Sequence, residues 1–204
     1  VGPIVPENVL LTDVGSTKQE IVERARAVFG AAAATRFLPG HPMAGKECGG
    51  IESADASLFE GAAWLVTPAR SDERNVTAPI AEAWLEWLRR IGARVLVMDA
   101  ARHDRLCAWI SHLPQMIATA LAATLKDEFG DDAELGKIGG RALREMTRIA
   151  ASPYSMWRDI AFTNTKNIEE AISGLEQRLA HLRENLKTRG LQEEFEKANE
   201  FRKY

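Results

Sequence analysis

Cysteine is scarce: the 204 residues hold two, Cys48 and Cys107, far apart and in no ligand-like spacing. A disulfide framework and a zinc site are thereby excluded as expectations, and reduced thiols in a cytoplasm are the reading that remains. Neither sign of charge dominates, with 26 Lys and Arg against 29 Asp and Glu and a formal net charge of -3. The two signs are mixed along the chain, which offers neither a nucleic-acid face nor a polybasic membrane patch. Long apolar runs are missing too. The Ala- and Leu-rich stretch from Ala118 to Leu125 is closed by Lys126, Asp127 and Glu128, too early to span a bilayer. No signal-peptide pattern opens the chain. It begins at Val1 rather than methionine, from which a missing upstream segment is expected.

With 46% hydrophobic and 27% charged residues, the chain has the composition of a globular protein, long enough for one or two domains with cores. Val9-Leu10-Leu11-Thr12 reads as a buried strand ending at Asp13. Thr17 is placed to cap the next helix, with Glu20 as its capping-box partner and Gly30 as its stop. Thr35 to Leu38 and Ala62 to Thr67 are further strands. A helix from about Asp72 to Ile91 puts Ile80, Trp84, Trp87, Leu88 and Ile91 on one face. A fourth strand covers Ala93 to Met98. Strands alternating with helices predict an open, parallel α/β sheet over residues 1–99.

No strand signal follows. Residues 100–204 read as an all-α domain, with a long helix from Ala101 to about Phe129 kinked or loosened at Pro114. A second helix from Ala133 to Ala151 is weakened at Gly139-Gly140, and a third runs from Pro153 to Thr188. Ile168, Ile172, Leu175, Leu179, Leu182 and Leu186 recur on that third helix at alternating spacings of four and three, a packing seam for a helix of the same chain or of a partner. A last polar helix spans Leu191 to Tyr204.

Four clusters carry candidate chemistry. Asp13-Val14-Gly15-Ser16 lies at the carboxyl end of a predicted strand, the edge where ligands bind in open α/β sheets. His41-Pro42-Met43-Ala44-Gly45 follows the next strand, and an imidazole on that loop can take a proton from an alcohol. Within the long helix stands Ser111-His112-Leu113-Pro114. His103, nine residues before His112, falls on the opposite face of a regular helix and reads as structural, while His112 is either a core histidine or a pocket one. Arg144, Arg148 and Arg158 each offer a carboxylate fork, and charge alone does not choose among them.

In this order and spacing the clusters, with Thr147-Arg148-Ile149-Ala150 and Met156-Trp157-Arg158-Asp159-Ile160, resemble the prephenate and arogenate dehydrogenases of tyrosine biosynthesis. The resemblance covers nearly the whole chain. It implies a Rossmann-type dinucleotide-binding domain followed by a helical dimerisation and substrate-binding domain, hence a homodimer. By it His41 is the catalytic base for the ring hydroxyl, and Ser16 the serine that bonds both that hydroxyl and the histidine. His112 and Arg148 become substrate-binding residues, with Arg148 on a carboxylate. Asp13, Gly15 and Ser16 flank the cofactor, NAD or NADP. The reaction implied is hydride transfer from prephenate with loss of carbon dioxide. Arogenate remains open as the substrate, and Glu145, one helical turn before Arg148, is in reach of its amine. The family's opening strand and Gly-x-Gly-x-x-Gly turn are not in these residues. The expectation is therefore a truncated domain that binds the cofactor poorly, or a non-catalytic dimerisation fragment.

Overall fold

In the computed structural model, residues 4–6, 8–45, 50–69 and 79–203 are described. Cys48, the end of the His41 loop at Lys46 and Glu47, and the predicted helix start at Asp72 lie outside them. The strands are β1 (Leu11–Asp13), β2 (Phe37–Pro42), β3 (Ala63–Val66) and β4 (Arg94–Val97), in the spatial order β1-β2-β3-β4. Helix α1 (Gln19–Phe29) and the short α2 (Ala33–Arg36) join β1 to β2, and α3 (Pro79–Arg90) precedes β4.

The α/β class stands, but the sheet is mixed where a wholly parallel one was expected. β1 and β2 run parallel, with Thr12 opposite Leu38, as do β3 and β4, with Trp64 opposite Val95. Between them β2 and β3 pair antiparallel, His41 facing Leu65. Parallel neighbours need a crossover of a dozen residues or more, usually a helix. Among the described residues between β2 and β3 the only helical turn is Ile51–Ser53, and the chain returns antiparallel.

One core fills the space between β2, β3 and α3: Leu38, Trp64, Val66, Ala81, Leu85, Leu88 and Ala93, with Phe59 and Trp84 packed against it. The inward face of α3 is Ala81, Leu85 and Leu88; of the expected stripe Leu88 is in the core with Trp84 and Ile91 packed against it, while Ile80 is 41% and Trp87 50% exposed. Trp84 bridges the two layers, edge-on to Trp64 at 6.1 Å and stacked on Trp87 at 5.2 Å.

The helical part begins with α4 (Ala100–Cys107), a π turn (Ala108–His112) and α5 (Leu113–Phe129) on one axis. Of the kink or loosening expected at Pro114 the structure shows the second, a widening of the helix just before it. Proline lacks a donor, and its ring crowds the carbonyl four residues back, that of Ile110, which lies inside the π turn. By length and composition the continuous stretch Ala100–Phe129 could cross a membrane, which corrects the expectation that no run suffices. Its inward face nevertheless carries buried His103, Asp104, His112 and Gln115, each hydrogen-bonded within the protein. Those side chains make the first part of this helix a core element, while 33% of its apolar window is buried within the chain.

The second expected helix is two, α6 (Ala133–Ile138) and α7 (Arg141–Thr147), parted at Gly139-Gly140 and followed by a 3-10 turn (Arg148–Ala151). The third is also two, α8 (Tyr154–Thr163) and α9 (Thr165–Glu184), broken at buried Asn164, and α10 (Arg189–Phe201) closes the described chain. The seam divides along α9. Ile168 and Ala171 are buried, Ile168 and Ile172 packing with Ala108, Ile160 and Trp157. Farther on, Leu179 and Leu186 are exposed.

What ties the halves together was unreadable locally. Thr17 does not cap α1; its hydroxyl pairs with that of Thr163 at 2.8 Å. The cap comes from 85 residues away, where Asp104 Oδ1 and Oδ2 accept from the amides of Lys18 and Gln19 at 2.7 and 2.9 Å. An acid at a helix N-terminus satisfies orphan donors and opposes the positive end of the dipole. Asp104→Ala strands these donors in a buried place, and unfolding in urea is expected to show a loss of about 3 kcal/mol. An unchanged midpoint would show that water replaces the carboxylate.

Candidate active site

β1 ends in a turn that Asp13 holds. Its Oδ2 accepts from Gly15 N at 2.8 Å and its Oδ1 from Gly40 N at 3.2 Å. Its charge is met by the fully buried Lys18 ammonium, which also donates to Gly40 O at 2.8 Å. Burial lowers the Lys18 pKa, and Asp13 opposes the shift. Glycine is required at Gly40, against the indole of Trp64 and the backbone of Asp13, whereas at Gly15 the nearest atom is the movable end of Ile21. A Cβ on Gly15 would lie 2.8 Å from Ile21 Cδ1, and one on Gly40 would lie 2.7 Å from Trp64 Nε1. The network sets the β1 turn against the neighbouring strand, and so sets Ser16 beside His41.

His41 was expected on a loop; it is in β2, buried and paired with Leu65. Its Nδ1 lies 2.9 Å from His103 Nε2. His103 Nδ1 lies 2.8 Å from Asp104 Oδ1. The His103 judged structural from its helical phase thus touches the candidate base directly. The regular-helix count placing His103 and His112 on opposite faces fails because the π turn lies between them and spends an extra residue on its turn.

His112 is buried against Trp157, ring edge to face at 5.9 Å. Asn164 Nδ2 lies 3.3 Å from its Nδ1 and donates to Asp104 O at 2.8 Å. Asn167 donates to Asn164 Oδ1 at 2.7 Å, which fixes the amide's orientation. Nδ1 of His112 is then an acceptor, and its proton belongs on Nε2. Burial holds both imidazoles neutral. The His41 pKa falls to about 3, through burial first and then the positive charge that His103, Lys18 and His112 can carry, with Asp104 opposing. That of His112 falls to about 4, mainly by burial, again against Asp104.

Ser16, His41, His112 and Arg148 line a single cavity of about 430 Å³, with Gln115 and Trp157 in the same wall. Four residues from separate elements thus converge. The hydroxyl of Ser16 makes no hydrogen bond among the described residues, and a bond between it and His41 is not formed. Arg148, at the head of the 3-10 turn, is carried there by Gln115, which donates to the neighbouring Ile149 O at 2.9 Å. The other arginines go elsewhere: Arg144 reaches Gly139 O at 3.2 Å, and exposed Arg158 pairs with Asp159 at 2.8 Å. Glu145 is exposed and bound to Arg141 at 2.6 Å, outside the cavity wall; the expected reach to an amine is not seen. Sequence reasoning missed Asp104, Asn164 and Gln115, and named Trp157 only within its cluster, without a role. A usable signal was there in Asn164 and Gln115, polar residues at inward positions of otherwise apolar helices.

His41, His103 and Cys107 place three possible ligand atoms within 4.8 Å of one another. Two of these atoms already share the ring-to-ring hydrogen bond, and burial raises the Cys107 thiol to about 12. Hydrogen bonding accounts for the cluster.

A family model described as "Prephenate dehydrogenase, nucleotide-binding domain" matches residues 1–97, and one described as "Prephenate dehydrogenase, dimerization domain" matches residues 99–201. Prephenate dehydrogenase of Lactococcus lactis is 31% identical over 173 residues, 85% of this chain and 46% of that protein. Cyclohexadienyl dehydrogenase of Zymomonas mobilis is 30% identical over 165 residues, 80% of this chain and 54% of that one. Among solved structures, prephenate dehydrogenase of Aquifex aeolicus in complex with hydroxyphenyl propionate and NAD+ superposes with a TM-score of 0.77 at 32% identity, covering 98% of this chain and 66% of the other. Synechocystis arogenate dehydrogenase gives 0.76 at 26% identity, covering 98% and 71%. The chain spans about half the length of the curated relatives it matches. With both of its halves matched, the chain belongs to the prephenate dehydrogenase family.

Proposed function

We propose that this chain carries the substrate site of an NAD(P)-linked dehydrogenase that converts prephenate to 4-hydroxyphenylpyruvate with loss of carbon dioxide. One observation carries the reading: Ser16, His41, His112 and Arg148 share one cavity. His41 is the base that takes the ring-hydroxyl proton, Ser16 offers a free hydroxyl to that oxygen, and His112 donates from Nε2. Arg148 pairs with a substrate carboxylate. A base near 3 is unprotonated at neutral pH yet weak for its task. An anionic substrate beside it restores proton affinity, since a nearby negative charge favours the imidazolium. Aromatisation then makes the step downhill, and the protein supplies orientation and proton removal.

The residues present fit the nicotinamide end of a dinucleotide. Ser16 holds an unbonded hydroxyl at the cavity wall, and Asp13 and Gly15 fix the turn that carries it. Asp13 acts there through that turn, its oxygens being already engaged by Gly15, Gly40 and Lys18. When bound, the nicotinamide supplies a hydride acceptor. No Gly-x-Gly-x-x-Gly turn for the pyrophosphate occurs in the 204 residues.

We place the domain division at residues 99 and 100 and the protein in the cytoplasm as a homodimer. The matched dimerization domain and the exposed Phe162, Leu179 and Leu186 support pairing of two copies. Arogenate is the second substrate reading, favoured by likeness to the Synechocystis arogenate dehydrogenase. Titrating the chain with NAD and NADP and following turnover on prephenate and on arogenate tests both. Neither binding nor turnover would leave a dimerisation module as the better account. Arg148→Ala is expected to raise KM by ~10–100-fold with kcat little changed, because the charged contact precedes the transition state. A change confined to kcat would remove Arg148 from substrate binding.

A further inference from the structure

A hydrogen-bond chain with a defined direction runs behind His41. Asp104 is 1% exposed and accepts from two backbone amides, with a ring nitrogen of His103 against one of its oxygens. Each of its two oxygens is thus met by a backbone N–H, to which it offers lone pairs. The nitrogen of His103 facing it at 2.8 Å must therefore carry a hydrogen, or two acceptors would be pressed together in a dry interior. With that hydrogen on Nδ1, a neutral ring has a bare Nε2. Cys107 Sγ, 3.6 Å away, is a weak donor to the same nitrogen and fits this assignment. The nitrogen of His41 that meets Nε2 at 2.9 Å must then be the donor. That leaves Nε2 of His41 as its only lone pair, on the ring that lines the cavity.

We infer that His103, anchored by Asp104, is a positioning residue that locks His41 in the tautomer protonated on Nδ1, so that Nε2 is the nitrogen presented to substrate. The inference rests on the reading of His41 as the base and adds which of its nitrogens acts and why. When Nε2 takes a proton, the charge formed on the His41 ring stays bonded through Nδ1–H to His103 and, through that ring, to the Asp104 carboxylate. No further proton need move. The neighbouring histidine is set the other way, because Asn164 donates to Nδ1 of His112 and leaves its proton on Nε2. One imidazole meets the cavity as acceptor and the other as donor, the complement that a hydroxyl losing its proton beside a fixed anion requires.

The test is the nitrogen spectrum of the imidazoles in the 204-residue chain, labelled with ¹⁵N and recorded at neutral pH. His41 should show a protonated Nδ1 and a bare Nε2, with at least ~10-fold excess over the other tautomer. His103→Phe should collapse that excess to a mixture. His103→Gln should restore it, since a side-chain carbonyl can accept from Nδ1–H. The His112 signals, held by Asn164, report in the same spectra that the fold persists. A wild-type His41 protonated on Nε2, or an excess untouched by His103→Phe with His112 intact, overturns the inference. A locked tautomer together with unchanged turnover in His41→Asn would instead sink the catalytic reading and leave the lock standing, so the two failures are distinguishable.

Discussion

His41→Asn, in a protein that turns over substrate, is expected to lower kcat by ~10²–10⁴-fold while KM moves little. Asparagine keeps the size and a hydrogen-bonding edge for His103 but cannot accept a proton at the cavity. Among the described residues, neither neighbouring base is placed to replace it. Lys18 is bound to Asp13 and Gly40, and Nδ1 of His112 faces the Asn164 amide. The burial that makes His41 selective also makes it irreplaceable. Steady-state rates of the two proteins at saturating cofactor decide the matter. Equal kcat values would remove His41 from proton transfer and leave it a core histidine of β2.

Acid should unfold this protein unusually early. His41 and His112 resist protonation in the fold down to about 3 and about 4, whereas in the unfolded chain both titrate near the ordinary ~6.5. Between those values the unfolded state holds more protons, so stability declines as pH falls. Each histidine contributes a slope of ~1.4 kcal/mol per pH unit, on the order of 7 kcal/mol for the pair by pH 4. Above about pH 6.5 the pair imposes no dependence. The groups facing them are His103, Lys18 and Asp104, of which only Asp104 favours the protonated rings. Urea midpoints taken at intervals from neutral pH downward should trace the decline, and His112→Asn should remove about half of its slope. A flat profile through this range would mean that water reaches both rings.

Much of the architecture could be read from local pattern. The strand at Ala63–Val66, the change to helices near residue 99 and the stop at Gly130 follow from runs and breakers a few residues long. The convergence of Ser16, His41, His112 and Arg148 was foreseen only through resemblance, since for each of them alone a bland role was at least as good. Errors arose where a distant partner outranks a near one. Thr17 has cap chemistry, yet Asp104 caps α1, because a carboxylate fixed in the core satisfies two amides at once. Asn164 looks like an interruption in a long helix; its side chain is what orients His112. His103 was set aside by counting 100° per residue, and the π turn invalidates the count.

The sequence by itself determined most of the strands and helices, where strands give way to helices and which residue types could carry proton transfer, because those depend on periodicity and on chemistry carried within one short stretch. Only the tertiary structure decided the antiparallel step in the sheet, the caps and the pairing of His41 with His103 and Asp104. These depend on contacts across 62 and 85 residues, where burial removes water and leaves each donor a single fixed acceptor.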